Sequence, residues 1–294
     1  MDAEQIRTAD GRRLDVYVAG PDDGDVLLFH HGTPGAGTPF DQLVAQSAER
    51  GLRYVSFSRP GYGASTRRPA RSVSDVVDDA ITVLDHLNAR RCYTMGWSGG
   101  GPHTLACAAL LPDRVIAATV VASIAPYGAE GLDYMAGMGR ENIDEFGLAL
   151  EGTAALEPFL QAWMPSLSLV TGEQIADALG DLVPPVDRAA LTGDLASSMA
   201  ADTRQALTNG PWGWHDDDLA FTRAWGFDVA DIHVPISLWQ GELDRMVPFN
   251  HGVWLADRIP GVRPHLLPEH GHLSLAVASM GIILDELVSP KTAP

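Results

Sequence analysis

Ser98 lies between glycines in Gly96-Trp97-Ser98-Gly99-Gly100, directly after the strand-like run Arg91-Cys92-Tyr93-Thr94-Met95. A strand, a tight turn and a helix in that order lift a serine hydroxyl clear of a sheet, where it can act as a nucleophile. Glycine suits both sides of such a turn, because the turn is strained and the helix start must approach neighbouring strands without a β-carbon. With 30 glycines in 294 residues, a G-x-S-x-G arises by chance in roughly one such chain in six, so partner residues must carry the reading. A serine hydroxyl is a weak nucleophile until an imidazole takes its proton and a carboxylate orients that imidazole. Gly241-Glu242-Leu243-Asp244 follows the strand-like Ile236-Ser237-Leu238-Trp239. Asp244 therefore falls in a loop beyond a strand's carboxyl end, where open α/β sheets build their sites, with Glu242 as the rival acid nearer the strand. Glu269-His270-Gly271-His272 follows the last strand-like run and offers two histidines, His270 and His272.

These loops need a sheet to hold them. Leu14 to Val18 alternates apolar and polar residues and predicts an edge strand, while Val26-Leu27-Leu28-Phe29 is a continuous apolar run suited to a parallel strand buried on both faces. A helix from Phe40 to Arg50 and a strand over Tyr54-Val55-Ser56-Phe57 follow. Ser72 opens the next helix, with Asp75 completing a capping-box pattern and Val76, Val77, Ala80, Ile81, Leu84 and Leu87 at helical spacing. A small-residue helix through Thr104 to Leu111 and a β-branched run from Val115 to Val121 complete the first half. Strands alternating with helices predict a mostly parallel sheet with right-handed crossovers.

From about Pro126 this rhythm is lost. Helical patches at Ala154 to Met164, Glu173 to Leu179 and Arg188 to Leu207, broken by Pro165, Pro184-Pro185 and Pro211, precede the strand at Ile236. The pattern predicts an α/β core from residues 1–125 and 232–294, with residues 126–231 as an inserted helical cap. The cap's tryptophans and its run Asp216-Asp217-Asp218 read as a small core beside a solvated charged turn, and Ser289 to Pro294 as a frayed tail.

Composition narrows the partners. A formal net charge of −18 and a pI near 4.7 argue against nucleic acid and anionic membranes, both polyanions, and leave a small-molecule substrate as the expected partner. The opening Met1-Asp2-Ala3-Glu4-Gln5 is acidic rather than a basic-then-apolar leader, which predicts a cytoplasmic protein. Cys92 and Cys107 read as small buried apolar residues. No histidine pair has metal-ligand spacing and no phosphate-cradling loop is present, so neither metal nor cofactor is expected.

The chain resembles α/β-hydrolase-fold enzymes that carry a cap, a superfamily whose triads run serine, acid, histidine in chain order. The likeness rests on Gly96-Trp97-Ser98-Gly99-Gly100, Gly241-Glu242-Leu243-Asp244 and Gly271-His272. It rests also on His31-Gly32-Thr33-Pro34-Gly35, similar to the oxyanion loop, and on Arg59-Pro60-Gly61-Tyr62-Gly63-Ala64-Ser65. The last two are reminiscent of prolyl iminopeptidases, although the elbow departs from that subfamily's G-G-S-W-G. The resemblance implies Ser98 as nucleophile, His272 as base, Asp244 as orienting acid, and the backbone N–H groups of Thr33 and Gly99 as oxyanion donors. His31 would support its loop by hydrogen bonding. Trp97, Tyr62 and Met246 are expected to border the pocket. The expected activity is hydrolysis of a small hydrophobic carboxylic ester or related acyl compound. An iminopeptidase-like aminopeptidase, needing an acidic group in the cap for a substrate ammonium, is the alternative, with carbon–carbon hydrolysis and a non-catalytic receptor behind it. Epoxide hydrolases and dehalogenases normally carry aspartate where this chain has Ser98.

Overall fold

The computed structural model describes residues 3–289, so the expected tail from residue 290 and the first two residues of the acidic opening lie outside the described residues. The strands are β1 (Glu4–Arg7), β2 (Arg13–Ala19), β3 (Asp25–His30), β4 (Leu52–Phe57), β5 (Cys92–Trp97), β6 (Val115–Val121), β7 (Ile236–Gly241) and β8 (Arg263–Leu267). They form one eight-stranded sheet in the order β1-β2-β4-β3-β5-β6-β7-β8. From β4 to β8 every neighbouring pair is parallel, while β2 runs antiparallel to both β1 and β4. The alternating segment from Leu14 is thus not the edge strand. The short β1 covers it, pairing Ile6 with Leu14.

The core helices are α1 (Asp41–Ala48), α2 (Val76–His86), α3 (Gly101–Leu110), α10 (Phe249–Arg258) and α11 (His272–Val288). Between β6 and β7 lie α4 (Arg140–Glu151), α5 (Thr153–Leu167), α6 (Ile175–Ala178), α7 (Pro185–Ala190), α8 (Gly193–Ala206) and α9 (Trp212–Phe221). One buried cluster packs Leu28, Val120 and Leu238 against α2 and α3, and a second packs Leu27, Phe29 and Met95 against α1 and α11 on the other face. Each such side chain, removed from water, stabilises the fold by about 1.5–3 kcal/mol. Ser72 donates its backbone N–H to Asp75 Oδ2 at 2.7 Å, as the capping pattern predicts.

Two expectations for the inserted segment change. Pro165 lies inside α5 rather than ending it, because Leu156, Leu160 and Leu167 are buried along one face and tertiary packing outweighs propensity. The patch from Arg188 to Leu207 is two helices, broken where Gly193 adopts φ +53°. Helices α4 and α9 were not legible at all.

The sheet places its site by topology. β3 pairs with β4 on one side and β5 on the other, with His30 opposite Gly96, so the chain leaves β3 and β5 side by side at their carboxyl ends. Connections diverge to opposite sides there, which opens a crevice. Close approach has a cost in allowed residues: a β-carbon on Gly100 would collide with the backbone carbonyl of His30. Neither backbone can yield without moving a central strand. Gly100→Ala is therefore expected to destabilise the protein by about 1–3 kcal/mol or more, measured by urea denaturation against wild type.

Candidate active site

Ser98 follows β5 with φ +57°, a left-handed conformation that a non-glycine residue adopts only at some cost. The reversal turns its side chain out of the sheet into a cavity of about 160 Å³, which His272, Thr33, Gly99, Trp97 and Met246 also line. Trp97 and Met246, expected beside the pocket, line this cavity. Tyr62 does not: it is fully buried, and its hydroxyl donates to Asp217 Oδ2 at 2.8 Å. The aromatic ring was spent on structure, a use that position after β4 alone could not distinguish.

The two remaining residues of the serine–acid–histidine set meet across 28 positions of sequence. Asp244 Oδ2 stands 2.7 Å from His272 Nδ1, both residues nearly inaccessible to solvent. Asp244 is itself held by the backbone N–H groups of Met246 and Val247 at 2.8 Å each and by Gln240 Nε2 at 3.2 Å. Glu242 and His270 make no such contact with each other or with the serine turn among the described bonds; Glu242 is exposed. Burial alone would push the His272 imidazole down, but the charge and hydrogen bond of Asp244 and the charge of Asp187 more than offset it, so its pKa lies above the usual value. An imidazole held this way keeps Nε2 free to take a proton. The indole of Trp97 stacks on the His272 ring at 5.6 Å and 28°, restricting its rotation.

The loop after β3 approaches the serine turn closely. A β-carbon on Gly99 would lie 3.2 Å from the backbone nitrogen of Thr33, so the two expected oxyanion donors belong to backbones in near contact. The orientation of the Gly32–Thr33 peptide follows from its carbonyl. His31 Nε2 accepts from the backbone N–H of Arg59 at 3.1 Å, which leaves Nδ1 protonated to donate to Gly32 O at 2.8 Å. Arg59 Nη2 donates to the same oxygen at 2.9 Å, and Nη1 to His31 O at 2.6 Å. Two donors on one carbonyl fix the peptide plane and polarise the N–H of Thr33 on its far side. His31 thus supports the loop as expected.

Arg59 is held in turn by α9. Asp217, with no accessible surface, takes 2.6 Å bonds from Arg59 Nη2 and Arg71 Nη1 and 2.8 Å bonds from Thr33 Oγ1 and Tyr62. The solvated acidic turn expected over Asp216-Asp217-Asp218 is therefore corrected to a buried helix. At 100° per residue the three carboxylates face different ways: Asp216 meets Arg67 at 2.8 Å, Asp217 meets Arg59 and Arg71, and Asp218 lines the cavity. No base reaches Asp218, whose two oxygens are buried without a donor. It lies beside Glu145, which accepts from Trp214 Nε1 at 2.7 Å. Burial and the Glu145 charge hold Asp218 well above the usual carboxylate range, and burial lifts Glu145 to about 7. Asp202 of α8 accepts from the backbone N–H groups of Ala36 at 3.2 Å and Thr38 at 2.8 Å, fixing the far end of the loop after β3. Asp187 of α7 meets the start of α11. Sequence reasoning missed Arg71, Asp187, Asp202 and the Glu145–Asp218 pair. A clue existed in Asp216 to Asp218, which are flanked by Trp212, Trp214, Leu219 and Phe221, too apolar a setting for a solvated turn.

Among the described residues, no cluster of three or more His, Cys, Asp and Glu could hold a metal ion, and no helix is long and apolar enough to cross a membrane.

A sequence model of the alpha/beta hydrolase fold matches residues 25–278. Over 274 residues the chain is 27% identical to the dihydrolipoyllysine-residue acetyltransferase component of an acetoin cleaving system in Pseudomonas putida, covering 92% of this chain and 65% of that protein. It is 29% identical over 124 residues to a bifunctional esterase/perhydrolase of Acinetobacter calcoaceticus, covering 41% of this chain and 44% of that one. The chain therefore spans less than two thirds of the length of either relative. An esterase crystal structure from Rhodococcus sp. superposes with a TM-score of 0.70 at 20% identity, covering 99% of both chains.

The Asp217 carboxylate is kept well below the usual range, since the charges of Arg59 and Arg71 outweigh the desolvation that opposes ionisation. A depressed folded-state pKa contributes stability that is present above the unfolded value near 3.9 and is lost as pH falls toward the folded one. Asp217→Asn leaves two buried guanidinium groups uncompensated, and an expected loss of about 3–5 kcal/mol at pH 7 would be read from chemical denaturation.

Proposed function

Because the chain belongs to the alpha/beta hydrolase fold family, we propose that it is a serine hydrolase of small hydrophobic carboxylic esters or related acyl compounds. One observation carries this reading: Ser98, reversed out of the sheet at φ +57°, shares a cavity with His272, whose Nδ1 is held by Asp244 at 2.7 Å. Ser98 Oγ attacks the acyl carbonyl as His272 Nε2 takes its proton, and the charge that develops on the carbonyl oxygen meets the N–H groups of Thr33 and Gly99. Collapse expels the alcohol, which receives the proton from His272 and leaves an acyl-enzyme. Water, deprotonated by His272, attacks that ester and returns the carboxylic acid and free Ser98. Asp244 holds the imidazole in the tautomer that these transfers need. Trp97 and Met246 give the cavity apolar walls, which suits an uncharged acyl group. Esterase and perhydrolase activities in the name of the Acinetobacter relative accord with this chemistry.

Ser98→Ala is expected to lower kcat on an aryl ester by on the order of 10⁶-fold with an unchanged melting temperature. Turnover within tenfold of wild type would exclude Ser98 as the nucleophile.

A second reading, an aminopeptidase-like enzyme acting on acyl compounds with a free amine, is favoured by Glu145 and Asp218. Both carboxyls line the same cavity, and the two oxygens of Asp218 are buried there without a donor. An ammonium group would supply both the donor and the charge. On that reading Glu145→Gln raises KM for an amino-acid aryl ester about tenfold or more while leaving KM for the matching deamino ester unchanged, as steady-state kinetics at pH 7.5 would show. Equal effects on both esters would count against it.

A further inference from the structure

Helix α11 begins at His272, yet the residue before it is Gly271, which has no side chain with which to cap a helix. The missing cap arrives from 85 positions earlier. Asp187, fully buried in α7, accepts from the backbone N–H groups of His272 at 2.7 Å through Oδ2, and of Leu273 at 3.1 Å and Ser274 at 2.9 Å through Oδ1. Ser274 Oγ donates to Oδ1 at 2.8 Å and accepts from the N–H of Gly271 at the same distance, so the first turn of α11 has its donors satisfied. A β-carbon on Gly271 would stand 2.5 Å from both Asp187 oxygens, which explains the glycine before the histidine. Backbone donors at a helix start otherwise take water or a local side chain; here they take a carboxylate from the segment inserted between β6 and β7.

We propose that Asp187 is a positioning residue for the hydrolysis: the inserted helices supply the cap of the helix that carries the catalytic base, so His272 is aligned only while α7 is seated. The inference rests on the serine-hydrolase reading. The backbone nitrogen of His272 is fixed by Asp187 and its ring by Asp244 and Trp97, which constrain the imidazole from both ends. Misplacement of a catalytic group by about 1 Å can cost about 10²-fold in rate. The charged groups that face the imidazole are Asp244, from the loop after β7, and Asp187, from α7, and both favour its protonated form. Loss of either charge moves the His272 titration to lower pH.

The test compares wild type with Asp187→Ala and Asp187→Asn, using pH-dependent kinetics on an aryl acetate and an NMR titration of the His272 ring. Asp187→Ala is expected to lower kcat about 10- to 100-fold with KM within about twofold. Asp187→Asn keeps one capping oxygen without the charge, so it recovers part of kcat, while its His272 midpoint and the acid limb of its rate profile lie below those of wild type. If Asp187→Ala does not fold, Asp187→Asn decides by its midpoint. An unshifted midpoint, or losses of kcat in both variants that merely follow the folded fraction, would overturn the proposal. The NMR midpoint reads the coupling whether or not an ester is turned over, so failure of the hydrolase reading shows separately, as absent turnover in wild type.

Discussion

The carboxylate of Asp217, buried between two guanidinium groups, ties the helices between β6 and β7 to the loop after β3. A buried ion pair repays its desolvation best when the carboxylate's remaining lone pairs are filled, and here the hydroxyls of Thr33 and Tyr62 donate to Asp217 beside Arg59 and Arg71. The same Arg59 fixes the carbonyl of the Gly32–Thr33 peptide, so the direction of the Thr33 N–H depends on a charge delivered from α9. Loops at the end of a sheet are ordinarily the mobile part of a fold. In this molecule Asp202 and Asp217 hold one such loop and Asp187 holds the start of α11. The helices between β6 and β7 are therefore part of the site's framework as well as its roof.

That arrangement divides the acidic groups near the cavity by partner. Asp216 has one arginine and Asp217 two, and both serve structure. Asp218, one residue on, has none and faces Glu145 in the cavity. Leaving the two Asp218 oxygens buried without a donor retains an uncompensated cost in the free state. A ligand able to supply a donor relieves that cost, whereas a wholly apolar ligand leaves it standing. The apolar walls and the acidic pair thus favour different features in a ligand, apolar surface on one side and a hydrogen-bond donor on the other.

The elements that build the sheet were readable because their signals are local. The apolar run at Val26 becomes a strand buried on both faces, the Ser72–Asp75 pattern opens its helix, and the loops bearing Ser98, Asp244 and His272 emerge at strand ends in chain order. What escaped was non-local. Nothing near Gly271 shows that its helix is capped by Asp187, and nothing in three consecutive aspartates shows that two of them will meet arginines contributed by distant segments. Tyr62 illustrates the same limit from the other side: its position after β4 suited a pocket wall, but its hydroxyl was needed by Asp217. Periodicity reports which face of an element is buried, not which partner waits there.

The central claim is that Ser98 is the atom-bearing nucleophile of an acyl-transfer site, and covalent mapping tests it most directly. The protein would be treated with an aryl fluorophosphonate until ester hydrolysis stops, then digested and sequenced by mass spectrometry. The account predicts one phosphonyl group per chain, on the peptide containing Ser98, rising in step with the loss of activity. Activity lost with the label on another residue, or full activity persisting beside a labelled Ser98, would contradict it.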